Sequence, residues 1–255
     1  MFIEERHREI LKRLNASGTI TTAEIQRLFG IGYDSAKRDL RILEEKGLLK
    51  RTHGGAISLS APERKETLRI VKDERPDIVS IARYAVSLIK PDEVVFLPAS
   101  PVGLQMVRGL PDGLSVRVVT NSLALAEEAR QRQGTKVFMI GGELDDRGCA
   151  TDSFATETIR RIRMAKSFIT TAGVSAGFGL SVQKSVSVAF WNAVIGSSSA
   201  VIGLYPSERF GVDSVFSVCG AQRLNCVITD GRADTSRISE FAESGVKVIV
   251  ADNQE

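Results

Sequence analysis

Short apolar runs alternate with amphipathic helical stretches from residue 76 to residue 255, and this alternation constrains the fold more than any other feature. Strands that alternate with helices are joined by right-handed crossovers, so we predict a mostly parallel α/β sheet with helices on both faces. The predicted strands span residues 94–97, 115–119, 136–140, 167–171, 200–204, 226–229 and 246–250. The predicted helices span residues 78–89, 101–109, 122–131, 152–163, 186–196 and 234–243.

The first 57 residues have a different pattern, in which helices dominate. Apolar spacing predicts helices over residues 2–14, 23–29 and 33–46, with a stop at 15–18 and a cap at Thr21 or Thr22. Residues 48–57 alternate around a Gly-Gly turn and predict a hairpin. Helix, short helix, turn, longer helix and hairpin is the order of a winged helix-turn-helix, whose second helix of the pair can enter the major groove.

Small and charged residues with one proline separate these two patterns and predict a linker. We therefore predict a winged helix-turn-helix domain at residues 1–57, a linker at 58–75 and an α/β domain at 76–255. Strands in open sheets of the predicted kind bind ligands at their carboxyl ends.

The formal charge of +3 is concentrated in the N-terminal part of the chain. Residues 1–56 contain eleven Lys and Arg against eight Asp and Glu, which accounts for the whole excess. Positive charge on a helix-turn-helix is typical of a DNA-binding domain, although a protein-docking module with a solvated basic face is the alternative. The predicted DNA-binding residues are Tyr33, Asp34, Ser35, Lys37, Arg38, Arg41, Lys50, Arg51 and His53.

These residues have different predicted roles. The first four lie at the start of the recognition helix, where base edges are read. Arg38 and Arg41 are predicted phosphate contacts, although Arg38 can equally pair with Asp39 or Glu45 inside the domain. In the wing, Gly54 and Gly55 are expected to adopt positive φ.

Other features argue against several classes of protein. No apolar run is long enough for a membrane helix, and the charged N-terminus does not resemble a signal peptide. Three widely spaced cysteines and two distant histidines argue against a disulfide framework, a metal site and a histidine-based catalytic triad. We expect a cytoplasmic protein without a cofactor.

A family resemblance rests on the motifs Ser35-Ala36-Lys37-Arg38-Asp39-Leu40 and Arg51-Thr52-His53-Gly54-Gly55-Ala56, with Leu43 and Gly47 between them. They resemble DeoR-type transcriptional repressors, whose signature is close to T-I-R-R-D-L-x-x-L-x-x-x-G-x-L-x-R-x-H-G-G-A. The resemblance implies DNA binding and repression of carbohydrate or related metabolic genes. Two positions depart from it: Gly32 replaces the usual Ser cap, and Lys37 replaces an Arg.

The α/β part also resembles the DeoR-type effector domain, a relative of phosphosugar isomerase and CoA-transferase folds that usually senses a phosphorylated sugar. Matching motifs are Thr120-Asn121-Ser122, Gly141-Gly142, Ala172-Gly173-Val174, Gly179-Leu180, Arg209-Phe210-Gly211 and Thr229-Asp230. The phosphate-cradling D-x-G-T-T of the family, however, is replaced by Pro98-Ala99-Ser100-Pro101-Val102. The family's Glu and Lys region reads Ser187 to Asn192, and its D-x-S-K-F-G becomes Pro206 to Gly211.

These departures leave three alternatives for a small-molecule effector. The pocket takes a less anionic ligand, with Trp191, Phe190 and Tyr205 as candidate contacts; or the site is lost; or a loop is misaligned. The candidate effector residues are Ser100, Thr120, Asn121, Gly141, Gly142, Trp191 and Arg209.

Two further expectations concern activity and assembly. A sugar-phosphate isomerase-like enzyme is the alternative function, but the acids Glu143, Asp145 and Asp146 have no evident catalytic partner. Because one winged helix makes few base contacts and two-fold operators are common, we expect a homo-oligomer, dimer or higher, held by the C-terminal domain.

Overall fold

The computed structural model describes residues 3–17, 19–52, 54–58 and 74–251. The chain divides into two compact units, residues 1–67 and residues 68–255, and each has its own hydrophobic core. Most of the predicted linker lies outside the described residues, and so does the predicted wing residue His53. The predicted limits of the linker therefore stay a prediction.

The first unit contains three helices and a three-stranded antiparallel sheet within its described residues. Helices α1, α2 and α3 span Ile3–Ser17, Thr22–Phe29 and Tyr33–Glu45. Strands β1, β2 and β3 span Thr19–Thr21, Leu49–Thr52 and Gly55–Ser58, and they pair in the order β1-β3-β2. This order of elements confirms the predicted winged helix-turn-helix.

One boundary and one strand in this unit differ from the prediction. Helix α1 continues to Ser17, through the residues predicted to stop it, and β1 begins only two residues later. The backbone of β1 pairs Ile20 with Ala56 of β3. Because this partner lies far along the chain, the sequence around Ile20 contains no local sign of a strand.

Local capping sets both ends of α2. The Thr21 Oγ1 atom accepts the N–H of Glu24 at 3.2 Å, and the Glu24 carboxylate accepts the N–H of Thr21 at 2.7 Å, forming a capping box. Helix α2 ends at Gly30, which adopts a left-handed conformation with φ of 62°. Gly32 is the N-cap of α3 and forms no side-chain cap, as expected for a residue without a hydroxyl.

The second unit contains strands β4 to β13 and helices α4 to α9 among its described residues. The strands span Val94–Phe96, Val116–Thr120, Thr135–Met139, Met164–Ile169, Gly173–Ser175, Gly179–Val182, Ser198–Leu204, Phe216–Cys219, Cys226–Asp230 and Val248–Ala251. The helices span Pro76–Ser87, Pro101–Gly109, Leu123–Ala129, Ser153–Arg160, Val186–Gly196 and Thr235–Glu243. Short 3₁₀ turns lie at Ser207–Arg209 and Ala221–Arg223.

Seven of these strands form the main sheet, in the order β13-β12-β10-β7-β4-β5-β6. Every pairing between them is parallel, which confirms the predicted α/β architecture. The carboxyl ends of all seven strands therefore lie at one edge of the sheet, where ligands bind in folds of this kind.

Hydrophobic side chains cover both faces of the main sheet. Val95 on β4 packs in one cluster with Ile81 of α4 and Val107 of α5, while its neighbour Phe96 packs in another with Phe190 of α8. Side chains on a strand alternate between faces, so the two clusters lie on opposite sides of the sheet. This arrangement confirms the prediction of helices on both faces.

The predicted strand at 167–171 is displaced. Strand β7 spans Met164–Ile169, because its register with β10 begins where Met164 pairs with Ser198. Thr170 and Thr171 leave the ladder, and their hydroxyls donate to the carbonyl oxygens of Leu204 and Gly173 instead.

A small antiparallel sheet, in the order β11-β9-β8, was not predicted. Its strands have three or four residues each, and glycines interrupt their apolar pattern. Gly177-Phe178-Gly179 lies at the turn between β8 and β9.

Within the residues that the structure describes, no helix is both long and apolar enough to cross a membrane. In the same parts of the chain, no group of three or more His, Cys, Asp or Glu side chains is placed to hold a metal ion. Cys149, Cys219 and Cys226 are free, and burial raises the pKa of each thiol.

Candidate DNA-binding surface and effector region

Helix α3 separates its core-facing residues from its predicted DNA-binding residues. Ala36, Leu40 and Leu43 are buried and pack with Ile10 and Leu14 of α1. The six predicted contact residues on α3 are all exposed: Tyr33, Asp34, Ser35, Lys37, Arg38 and Arg41. One face of the recognition helix is therefore available to a partner along its first two turns.

Two exposed contacts orient side chains on this face. The Lys37 ammonium lies 4.5 Å from the centre of the Tyr33 ring, and an exposed cation–π contact of this kind contributes about 0.5–1 kcal/mol. The Arg41 guanidinium lies 3.8 Å from the Glu45 carboxylate, with both groups largely exposed. Such a surface pair contributes little, so it does not hold the Arg41 side chain in place.

The wing strand β2 presents two of its predicted residues to solvent. Lys50 and Arg51 are both exposed. The backbone N–H of Arg51 donates to the Glu44 carboxylate at 2.8 Å, and the guanidinium of Arg51 lies 3.8 Å from the same carboxylate. Glu44 therefore ties the start of the wing to the end of α3.

The wing turn is held against the start of α2. Both the backbone N–H and the hydroxyl of Thr22 donate to the carbonyl oxygen of Gly54, at 2.9 and 3.1 Å. Thr22 is buried, so these bonds are sheltered from water.

The expectation of positive φ at Gly54 and Gly55 is wrong. Neither residue is among the described glycines with positive φ. Gly55 is required for a different reason: a Cβ there would overlap the carbonyl oxygen of Ile20, where β3 approaches β1. A Cβ at Gly54 would meet open space.

Asp39 is buried on the inner side of α3 and forms a polar cluster with α1. Its Oδ2 atom accepts from Arg6 Nε at 2.7 Å, and its Oδ1 atom accepts from Arg6 Nη2 at 3.1 Å and His7 Nε2 at 3.0 Å. Burial raises the pKa of Asp39, but the bonds from Arg6 and His7 outweigh burial and hold this pKa below its ordinary value.

The sequence left open a pairing of Arg38 with Asp39 or Glu45, but both carboxylates contact other residues. Asp39 pairs with Arg6 and His7, and Glu45 lies beside Arg41. Asp39 lies three residues after Ala36 and four residues before Leu43, which is the spacing of the buried face of the helix. This spacing is the sequence signal that could have placed Asp39 in the core.

In the second unit, the candidate effector residues near the strand ends already have internal partners. Ser100 is buried, and its hydroxyl oxygen accepts the N–H of Gly103 at the start of α5. Pro101 occupies the first helical position and has no N–H to offer. The Thr120 hydroxyl oxygen accepts the N–H of Ser122 at 3.3 Å.

Among the described residues, only one of the two polar side-chain atoms of Asn121 forms a hydrogen bond. Its amide nitrogen donates to the carbonyl oxygen of Ala150 at 2.9 Å, which fixes the orientation of the amide group. Among the described residues, its buried Oδ1 atom has no hydrogen-bond partner. A buried acceptor without a donor is costly to the stability of the fold.

The Gly141-Gly142 turn lies against a carboxylate. A Cβ at Gly142 would overlap the Asp152 side chain, and Asp152 accepts the N–H groups of Glu143 at 2.8 Å and Ala155 at 2.9 Å. These backbone bonds lower the pKa of Asp152. A negative charge of the protein therefore already lies against Gly142, one of the candidate effector residues.

The aromatic candidates differ in accessibility. Trp191 is half-buried and packs edge-on against Phe96 and Phe190, with ring centres 6.0 and 5.7 Å away. Phe190 and Tyr205 are fully buried, and the Tyr205 hydroxyl pairs with that of Thr171 at 2.7 Å. These two are core residues of the domain, which corrects their assignment as candidate ligand contacts.

Arg209 is exposed, with Nη1 3.5 Å from the Thr171 carbonyl oxygen.

An open depression of about 650 Å³ lies beside α7 and the loop after β6. Its acidic lining residues are Glu143, Asp145, Asp152 and Glu157. Arg160 also lines it, but its guanidinium pairs with Glu157 at 2.6 Å. None of the candidate effector residues lines this depression, and its charge disfavours a phosphate.

Comparison with known proteins identifies the family. Residues 6–61 match the model of the DeoR-like helix-turn-helix domain, and residues 79–231 match that of the DeoR C-terminal sensor domain. The lactose phosphotransferase system repressor of Staphylococcus epidermidis is 30% identical over 96% of this chain and 98% of its own length. The HTH-type transcriptional regulator GolR of Listeria innocua is 25% identical over 99% of this chain and 100% of its own length.

Among solved structures, the full-length sorbitol operon regulator SorC of Klebsiella pneumoniae is similar, with a TM-score of 0.45 and 13% identity over 87% of this chain and 94% of that one. The match of the sensor-domain model to more than half of the chain, together with the 30% identical repressor, shows that this protein belongs to the DeoR family of DNA-binding transcriptional regulators.

Proposed function

We propose that this chain is a cytoplasmic, homo-oligomeric repressor that binds a double-stranded DNA operator and controls carbohydrate or related metabolic genes. The exposed face of α3 is the observation that carries the proposal. Lys37, Arg38 and Arg41 lie there, and Lys50 and Arg51 lie on the adjoining wing strand. Positive side chains around a helix that fits the major groove match the charge and shape of duplex DNA.

The relatives support the regulated genes that we propose. One of them is named as a repressor of the lactose phosphotransferase system, and another, in Bacillus subtilis, is named as the repressor GlcR and is 27% identical over 100% of this chain. Selection of duplexes from a random pool by the purified chain tests the proposal. We expect one sequence class to be enriched and to shift in a gel at lower protein concentration than a scrambled duplex. Failure to enrich any sequence would overturn it.

Self-association follows from the small reading surface of one winged helix. A recognition helix reads few base pairs, and two copies on a two-fold operator gain affinity by reading two half-sites. Analytical ultracentrifugation of the full chain tests this step. A dimer or larger species agrees with it, and a strict monomer at micromolar concentration contradicts it.

The effector that we propose is less anionic than a sugar phosphate. The ionised Asp152 carboxylate, held by the N–H groups of Glu143 and Ala155, lies against Gly142 and disfavours a second anion there. Ser100 and the amide of Glu143 already have internal partners, and Pro101 has no amide proton. A neutral hydroxyl-bearing molecule fits these groups better than a dianion; complete loss of the site remains the alternative.

Thermal denaturation with matched ligand pairs separates these cases. Glucose, galactose and fructose are compared with their 6-phosphates, while fluorescence of Trp191, the single tryptophan, reports the second unit. A ligand at 100 times its Kd stabilises the bound state by about 2.7 kcal/mol. We expect no shift with the phosphates, and a shift of several degrees with one of them would contradict the proposal.

The chain acts as a regulator rather than as an isomerase in this proposal. Its Asp152 carboxylate is engaged by two backbone N–H groups, so it is a poor proton acceptor for catalysis. An isomerase assay on aldose and ketose phosphates, run beside the gel shift, provides the test. Isomerase turnover by a protein preparation that does not shift DNA in the gel would favour the isomerase function instead.

A further inference from the structure

We infer that Asp39 is a positioning residue, which with Arg6 and His7 sets the orientation in which α3 is presented to DNA. The inference rests on the proposed DNA-binding function. The Asp39 carboxylate lies on the inner side of α3 and is only 3% exposed, so it does not itself form part of the exposed reading face. Its effect on DNA is transmitted through the placement of Lys37 and its neighbours.

The bonds to Asp39 are directional, whereas the contacts around them are not. Arg6 forms two hydrogen bonds with the carboxylate in a two-pronged geometry, and His7 forms a third. Because an ionised carboxylate only accepts, His7 must carry a proton on Nε2 in this arrangement. Charge-assisted bonds of this type fix both distance and angle.

Hydrophobic packing between α1 and α3 does not impose the same restriction. Ile10 and Leu14 of α1 pack with Leu40 and Leu43 of α3, and burial of apolar area is non-directional. Small rotation or sliding of α3 preserves most of this burial. The same movement would break the three bonds to Asp39 and displace the side chains that read base edges.

The expected consequence is a loss of discrimination rather than a uniform loss of affinity. Contacts to phosphate tolerate small displacements because they are largely electrostatic, whereas contacts to base edges require defined geometry. Disruption of the cluster should therefore weaken binding to the selected sequence far more than binding to random duplex.

The test compares D39N with the wild type and with I10V, using the full chain. Asp39→Asn keeps the shape of the side chain but replaces one acceptor oxygen with a donor that faces the donors of Arg6 or His7. Ile10→Val weakens the same contact between α1 and α3 without changing the polar cluster. All three proteins are measured well below their melting temperatures.

Two probes are used, a scrambled duplex and the duplex that the wild type enriches from a random pool. The measured quantity is the Kd for the scrambled duplex divided by the Kd for the enriched duplex. We expect D39N to lower this ratio at least tenfold, with binding to scrambled duplex changed less than threefold. We expect I10V to leave the ratio unchanged. A D39N ratio equal to that of the wild type, or an equal fall in D39N and I10V, overturns the inference. Failure of the wild type to enrich any duplex overturns the proposed function instead.

Discussion

The carbonyl oxygen of Gly54 accepts two hydrogen bonds from Thr22, one from its backbone N–H at 2.9 Å and one from its hydroxyl at 3.1 Å. Thr22 begins α2 and Gly54 lies in the wing turn, so one buried residue joins the helix-turn-helix to its wing. The orientation of Lys50 and Arg51 on the wing strand therefore depends on a residue outside the wing.

Replacing Thr22 with Val should loosen this connection. Valine has a similar shape but no hydroxyl, so one of the two bonds is lost, at a cost of about 1 kcal/mol in the stability of the first unit. Thr22→Ser retains the hydroxyl and provides the control. Urea titration followed by circular dichroism gives the stability, and gel shifts give the operator affinity. Equal behaviour of the Val and Ser variants would show that the hydroxyl bond is unimportant.

Gly55 and Gly54 should respond oppositely to alanine. A Cβ at Gly55 overlaps the backbone of Ile20, so Gly55→Ala should destabilise the first unit by about 3 kcal/mol, comparable to severe overpacking. Gly54→Ala meets open space and should change stability by less than about 0.5 kcal/mol. The same urea titration measures both. Comparable losses in the two variants would contradict the close approach of β3 to β1.

Lys37 and Arg41 should affect DNA binding in different ways. As a predicted phosphate contact, Arg41→Ala should weaken binding to operator and scrambled duplex alike and reduce the slope of log K against log salt by about 0.9. As a predicted base contact, Lys37→Ala should cost about 1–3 kcal/mol at the operator and much less on scrambled duplex.

Neither variant should change the melting temperature much, because both side chains are exposed. Arg13→Ala, an exposed change on α1 outside the helix-turn-helix pair, controls for the loss of a positive charge. Unchanged operator binding in both Lys37→Ala and Arg41→Ala would remove the basis for this assignment of the reading face.

Local signals made the recognition helix predictable from the sequence. The apolar spacing of Ala36, Leu40 and Leu43 is set within a few residues of chain. The same spacing identifies the exposed positions of α3, because those are the other positions on this helix. The exposed face of α3 therefore follows from the sequence of that helix alone.

Contacts between distant segments were not predictable in the same way. The pairing of Ile20 with Ala56, the bonds of Thr22 to Gly54 and the cluster of Arg6 with Asp39 all join residues far apart in sequence. A charged residue such as Asp39 is usually placed at the surface from sequence alone, because burial of a charge is costly without a partner. Its partners become evident only when α1 and α3 are packed together.

Asp230, at the carboxyl end of β12, should make the second unit sensitive to acid. Burial raises the pKa of Asp230, but N–H groups of Ser207 at 2.7 Å and Arg232 at 3.0 Å donate to it, and together they hold this pKa below its ordinary value. A carboxyl whose pKa is lowered by folding stabilises the folded state above its unfolded pKa of about 3.9. That contribution is lost as pH falls through the lower pKa of the folded state.

Asp230→Asn should therefore lower the stability of the second unit by about 1–3 kcal/mol at pH 7, because one acceptor becomes a donor facing a donor. The difference from the wild type should begin to narrow below about pH 4, where the carboxyl of the unfolded chain becomes protonated. It should be lost as the pH falls through the lower pKa of Asp230 in the folded state. Urea unfolding followed by Trp191 fluorescence reports this unit selectively. Asp213→Asn, an exposed change in the same unit, should be neutral at both pH values. A constant difference between wild type and Asp230→Asn from pH 7 to pH 3 would show that ionisation of this carboxyl does not stabilise the sheet edge.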